Sequence, residues 1–254
     1  MIAITSTHNP RLKELRKLAR RRERDRRGLF LAEGEDLVAA AIAAGRPALE
    51  GYRMAGTAIG GAGFNDVDPD VLASVSTLGS GARAIGVYEQ RWAGPVGPLC
   101  VYLYGVGDPG NIGTVIRSAL AFGASCVALG PGCADPHSPK AVRASMGAIF
   151  AVSLARVGDV SELPGEHCAL VAGAGKPIRQ VAVSTAGAQA PAKARPSAIT
   201  LLVGAEREGL PEELVAACEH VAHIPIHSDS LNAAMAATVA LYEMTRGSTR
   251  VPTS

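Results

Sequence analysis

"LCVYLYGVGDPGNIGTVIRSALAFGA" fills residues 99–124. Its first eight residues are an apolar run, which predicts a strand buried on both faces. The turn formers Asp108, Pro109, Gly110 and Asn111 end that run. Ile112, Val115, Ile116, Ala119 and Leu120 then recur at helical spacing, with one arginine, Arg117, among them. A buried strand, a polar turn and a helix form the first half of a βαβ unit.

The pattern repeats outward from there. "SCVALG" (125–130) reads as a strand and "SPKAVRASMGAIF" (138–150) as a helix. "AVSLARV" (151–157) and "CALVAGA" (168–174) read as strands, with "DVSELPG" between them as a weak helix. "ITLLVGA" (199–205) leads into a helix at 210–218, and "VAHIPI" (221–226) into a closing helix at 230–246. Apolar strands alternating with helices predict an α/β fold with a parallel sheet covered on both faces. The Ala/Pro-rich segment 183–198 is expected to be a surface loop.

Before this part lies a smaller α/β pattern. Strands are expected at 29–32, 52–59 and 84–90, with helices to about Ala44 and over "DPDVLASVSTL". The Pro/Gly-rich "RWAGPVGP" (91–98) marks the boundary between a domain at 1–92 and one at 99–250.

Charge is uneven along the chain. Residues 11–27, "RLKELRKLARRRERDRR", hold ten Lys/Arg against three Asp/Glu, a local +7 in a chain of net +2, so the remainder carries −5. A basic amphipathic helix with Leu12, Leu15 and Leu18 as its buried stripe suits either a solvated face or a polyanion. Five cysteines, odd in number and without a CxxC pair, argue against a disulfide framework and for a reducing compartment. The N-terminus has no apolar signal core and no apolar stretch is long enough to span a bilayer, so a cytoplasmic protein without a membrane is expected.

In a doubly wound sheet, ligands bind beyond the carboxyl ends of the strands. Three segments put polar residues there: the turn after 99–106, "GAEREGLPEEL" (204–214) and "HSDSLNAA" (227–234). Asn111 can cap its helix or face that cleft. An arginine in an apolar helix, like Arg117, must pair or reach a polar cleft. Its side chain leans back toward the helix start, roughly 9 Å away along the axis. Glu206 sits at the sheet rim. Ser230 is a good N-cap for the closing helix, with Asn232 in its first turn. Neither the dinucleotide fingerprint nor the P-loop is present. His220, His223 and His227 straddle a strand that would point the first two to opposite faces, so no metal is expected. Lys140 and Arg143 suit phosphate contacts or plain solvation.

With these segments in view, the sequence resembles the TrmH/SpoU family of RNA 2′-O-ribose methyltransferases, within the SPOUT superfamily. "DPGNIGTVIRSALAFGA", "LLVGAEREGLPEEL" and "IPIHSDSLNAAMAATVALYE" resemble its three motifs in order, and "ADPHSPKAVRASMGAIF" the segment between. "RRGLFLAEGEDLV" is similar to the family's small ribosomal-protein-like RNA-binding domain. The resemblance implies a C-terminal sheet with a deep trefoil knot, S-adenosylmethionine as methyl donor, an RNA ribose as acceptor and a homodimer. It assigns catalysis to Asn111, Arg117, Glu206, Ser230 and Asn232, and the donor-binding backbone to Gly204, Ile224 and Leu231. Arg207 stands where the family commonly has glycine. The expected substrate is 23S ribosomal RNA; transfer RNA, or a non-catalytic RNA-binding or ribosome-assembly role on the same fold, are the alternatives.

Overall fold

The computed structural model describes residues 3–61, 63–78, 81–181 and 198–246. The chain divides into two compact units, Met1–Arg91 with Asp135–Ala151, and Trp92–Ala134 with Val152–Ser254. The boundary stretch 91–98 thus contains the first point of division, but residues 135–151, expected with the C-terminal part, group with the first unit.

In the first unit the basic segment forms two helices, α1 (Pro10–Lys17) and α2 (Arg21–Arg27), not one. Leu12, Leu15 and Leu18 are buried as the stripe predicted. The break at 18–20 is held by Arg24, whose guanidinium donates to the Leu18 and Ala19 carbonyls. Then come β1 (Leu29–Glu33), α3 (Glu35–Ala43), β2 (Glu50–Met54), β3 (Phe64–Val67), α4 (Pro69–Ala73) and β4 (Ala84–Glu89). The strands lie in the order β1-β4-β2-β3, with β2 and β3 parallel and the other pairs antiparallel. The four-residue β3 escapes sequence reading because only Phe64 and Val67 are buried on it.

The segment 135–151 belongs with this sheet for physical reasons. The Arg24 Nη2 lies 2.6 Å from the Asp135 carboxylate, and both side chains are almost wholly buried. Phe150 stacks near Phe30 and Tyr88, with ring centroids 5.9 and 4.8 Å apart. The helix expected over 138–150 is only six residues long, Pro139–Ala144, followed by a 3-10 turn at Ala148–Phe150. Met146 at φ +49° and Gly147 at φ +88° end it, and a Cβ on Gly147 would fall 2.4 Å from Ala40 Cβ on α3.

The second unit is a seven-stranded sheet, parallel throughout. In chain order its elements are β5 (Leu99–Leu103), α5 (Pro109–Ala121), β6 (Cys126–Leu129), β7 (Ser153–Arg156), β8 (Glu166–Leu170), β9 (Lys176–Pro177), β10 (Ile199–Val203), α7 (Glu212–Ala216), β11 (His220–His223) and α8 (Ala233–Thr245), where α6 is the helix Pro139–Ala144 of the first unit. The order across the sheet is β7-β6-β5-β10-β8-β11-β9. Every residue of β5, β6 and β10 is buried, as a strand covered on both faces requires. The weak helix expected near 160 is a 3-10 turn, Val160–Glu162. Apart from Ala198, the loop expected at 183–198 lies outside the described residues.

Candidate active site

Register brings the three polar segments together. Leu103 of β5, Val203 of β10 and Leu170 of β8 are in-register neighbours, and Ala222 of β11 aligns with Leu170. Because the strands are parallel, the loops after β5, β10 and β11 leave the same end of the sheet.

After β5, Asp108 is the N-cap of α5, accepting from the Asn111 N–H at 3.0 Å, and Pro109 takes the first helical position. Asn111 is therefore relieved of capping and its side chain faces outward. The Asp-Pro pair was a readable signal for this cap. After β10, residues 205–209 form a closed turn, with Gly209 N–H donating to Ala205 O at 3.0 Å. Gly204 is pressed against this turn. A Cβ there would lie 2.2 Å from the Gly209 carbonyl carbon and 2.4 Å from Leu210 N. The turn lifts Glu206 to the surface. After β11, Asn232 and not Ser230 is the N-cap of α8; its Oδ1 accepts from Ala234 and Met235 N–H at 3.0 and 3.3 Å. The helix starts at Ala233, three residues later than the pattern suggested.

Three of the expected catalytic residues then meet. Asn232 Nδ2 donates to Asn111 Oδ1 at 3.1 Å, and Asn111 Nδ2 donates to the Glu206 carboxylate. These two bonds fix the Asn111 amide from both ends. Ser230 is exposed, and its carbonyl accepts from Ser228 Oγ at 3.3 Å. Arg117 is exposed on α5 and makes no hydrogen bond or ion pair with any described residue, so it does not join this cluster.

Beside the cluster lies a cavity of about 440 Å³. Glu206, Ser230 and all three expected donor-binding residues, Gly204, Ile224 and Leu231, line it. So do Leu170, Val203 and Leu210, and the charged side chains Arg207, Glu208 and Asp229. Sequence reading singled out neither Glu208 nor Asp229. The cavity is of small-cofactor size. Its apolar side chains suit a purine ring, its carboxylates suit a cation, and the close approach at Gly204 leaves the turn's backbone as part of the wall. These residues fit a sulfonium nucleoside such as S-adenosylmethionine.

The histidines lie elsewhere. His220 Nε2 is 2.8 Å from the Glu166 carboxylate, and His223 Nδ1 is 3.2 Å from the Ala174 carbonyl. Among the described residues no group of three or more His, Cys, Asp or Glu could hold a metal. In the first unit Arg143 donates to Thr77 Oγ1 at 3.1 Å.

Residues 98–242 match the model of the SpoU rRNA Methylase family, and residues 9–63 that of the MRM3-like substrate binding domain. A Bacillus subtilis protein, 23S rRNA (guanosine(2553)-2′-O)-methyltransferase RlmP, is 27% identical, over 96% of this chain and 99% of its own. A Streptomyces viridochromogenes 23S rRNA (uridine(2479)-2′-O)-methyltransferase is 35% identical, over 72% of this chain and 62% of its own. The AdoMet-bound rRNA methyltransferase from Sinorhizobium meliloti superposes with a TM-score of 0.81 at 30% identity, covering 98% of this chain and 99% of that one. The chain belongs to the SpoU rRNA methylase family.

Proposed function

We propose that this protein methylates the ribose 2′-hydroxyl of a 23S ribosomal RNA nucleotide. As an S-adenosylmethionine-dependent RNA methyltransferase, it joins a donor cavity to an acceptor site. The observation that carries the reading is the hydrogen-bonded chain Asn232–Asn111–Glu206 at the edge of the cavity lined by Gly204, Ile224 and Leu231. Two relatives named for 2′-O-methylation of 23S rRNA support the acceptor class.

When bound, S-adenosylmethionine supplies a methyl group activated by a sulfonium. Gly204, Ile224 and Leu231 hold it through backbone and apolar contact. Asn111 and Asn232 present fixed amides to the ribose. Ser230, on the cavity wall, offers a hydroxyl to the same region. Arg117, exposed and without a partner among the described residues, binds an RNA phosphate next to the acceptor ribose.

The finer reading extends to the whole chain. Residues 1–92 bind the RNA substrate, and residues 99–250 hold the methyltransferase site. The support for the first part is the match at 9–63 and the exposed Lys13, Arg20 and Arg22, which make no ion pair with a described residue. The C-terminal sheet carries a trefoil knot, a reading supported by β10, late in sequence, standing between β5 and β8. The protein works in the cytoplasm as a homodimer. Its support is the exposed apolar face of Leu120 on α5 with Met235, Val239 and Tyr242 on α8.

Incubating the protein with large-subunit rRNA from cells lacking the gene, and mapping 2′-O-methyl positions, tests the reading. One new 2′-O-methyl nucleotide is the expected product. Methylation of transfer RNA alone would move the substrate to the alternative, and donor binding without transfer to any RNA would favour a non-catalytic role.

A further inference from the structure

We infer that Arg207 pairs with the carboxylate of the methyl donor, an inference that rests on the methyltransferase reading above. S-adenosylmethionine carries two positive groups, its sulfonium and its ammonium, and one negative group, its carboxylate. The cavity of about 440 Å³ has to suit all of them. Among the described residues that line it, Glu206, Glu208 and Asp229 are acidic, and Arg207 is the single Lys, Arg or His. The acids attract the sulfonium and the ammonium and repel the carboxylate. The carboxylate therefore turns to the one cation on the wall.

Three observations leave Arg207 available. Its side chain is exposed and makes no hydrogen bond or ion pair with a described residue, so it is not spent on the acids beside it. Its place in the wall is fixed, because Gly209 N–H closes the turn on Ala205 O at 3.0 Å and Glu206 is tied to Asn111. Its backbone is unstrained. The positive φ in the turn falls on Gly209, at +69°, and Met146 is the only non-glycine residue with positive φ among the described residues. The turn itself thus makes no demand for arginine at this position. A guanidinium keeps its charge through the physiological range and meets a carboxylate with two parallel N–H donors.

Two other features near the cavity are candidates for an anion, and both serve it less well. The start of α8 borders the cavity through Ala233, but Asn232 Oδ1 already takes the Ala234 and Met235 N–H groups. His223 and His227 line a second cavity, of about 600 Å³, and not the first. A glycine at 207, the residue common in the family, has no side chain to offer, so the contact is a property of this chain.

The test titrates the parent, Arg207→Gln and Arg207→Lys by calorimetry, each with S-adenosylmethionine and with its decarboxylated analogue. The analogue keeps the sulfonium and the amine and lacks the carboxylate. Arg207→Gln is expected to bind S-adenosylmethionine about 5- to 10-fold more weakly, the scale of a charge-assisted contact that stays partly solvated. It is expected to bind the analogue within about twofold of the parent, since no carboxylate is there to lose its partner. Arg207→Lys keeps the charge but not the paired donors, and its affinity for S-adenosylmethionine is expected to fall between the two. Equal weakening of both ligands in Arg207→Gln would show that the side chain only shapes the wall. Unchanged affinity for S-adenosylmethionine would put the carboxylate elsewhere. Either result overturns the inference. A parent that binds neither ligand overturns the donor-site reading itself.

Discussion

Asn232 performs two tasks with one amide. Its oxygen caps α8 and its nitrogen holds Asn111. Asn232→Asp separates them, since an aspartate still caps but cannot donate. Its thermal midpoint is expected to match the parent's, while the methylation rate falls because Asn111 loses its anchor. Asn232→Ala is expected to lose about 1 kcal/mol as well, the usual worth of a cap. Denaturant unfolding beside single-turnover rates separates the two effects. Equal rates in Asn232→Asp and the parent would show that the bond to Asn111 does not matter. Arg24 is a second residue with an unexpected task. It stands in the basic run, yet it is buried on Asp135 and cannot meet a phosphate. Arg24→Met is expected to destabilise the protein by about 3–5 kcal/mol, because Asp135 is left buried without its partner. Urea unfolding measures this; a loss under about 1 kcal/mol would mean that Asp135 finds water.

At the scale of elements, β5, β6 and β10 were legible because each reads as an apolar run, and each is buried along its full length. Helix ends were less so. The closing helix looked three residues longer because "SLN" carries two residues able to cap, and only the contacts of Asn232 decide between them. Likewise, α1 and α2 share one continuous charge pattern, and the break comes from a tertiary bond, Arg24 to the carbonyls of 18 and 19. The site shows the same division. Residue types and loop positions pointed to Asn111, Glu206 and Asn232, but which pairs touch depends on strand register. Arg117 stays outside the cluster, exposed further along α5. Gly204 shows how tightly the element geometry constrains the cavity. Its missing side chain lets the 205–209 turn fold back within 2.2 Å of where a Cβ would stand. Gly204→Ala is expected to displace that turn, moving Glu206 and the cavity wall together. Donor affinity measured by calorimetry should fall at least tenfold with the fold retained by circular dichroism. Parental affinity would mean that the turn does not shape the donor pocket.

For the whole molecule, the +7 of residues 11–27 is reduced by local pairing. Glu14 takes Lys17 and Arg27, Glu23 takes Arg26 and Arg27, and Arg21 meets Asp25. Lys13, Arg20 and Arg22 are exposed and make no ion pair with a described residue, so they are the cations of this segment proposed to meet RNA. Phosphate contacts release counterions, so affinity falls with salt in proportion to their number. Replacing Arg20 and Arg22 with Gln is expected to lower the salt slope by about 1–2 without changing donor affinity. Binding isotherms at several salt concentrations measure it, and an unchanged slope would place the RNA on another surface.

The proposed homodimer is the remaining whole-molecule property, and one exposed face is its candidate contact. Met235, Val239 and Tyr242 follow each other at four and three residues on α8, so they share one side of that helix. They are 58%, 38% and 50% exposed, and Leu120 on α5, the helix packed against α8, is 48% exposed. The ring of Phe122 lies 6.1 Å from that of Tyr242, which extends the apolar surface along α5. Exposed apolar faces of this kind are typical of surfaces that meet another molecule. The proposed homodimer would use this face, since a two-fold contact needs only one self-complementary patch. Arg117 lies one turn before Leu120 on α5, so the same contact would bring a second copy close to the arginine proposed to bind RNA. Val239→Asp and Leu120→Asp each place a charge in this face, where desolvating it is costly. Both are expected to shift sedimentation from dimer to monomer, and to reduce methylation while leaving the circular dichroism spectrum of the parent. A parent that sediments as a monomer at micromolar concentration, or a charged variant that remains dimeric, would show that this face does not join two copies.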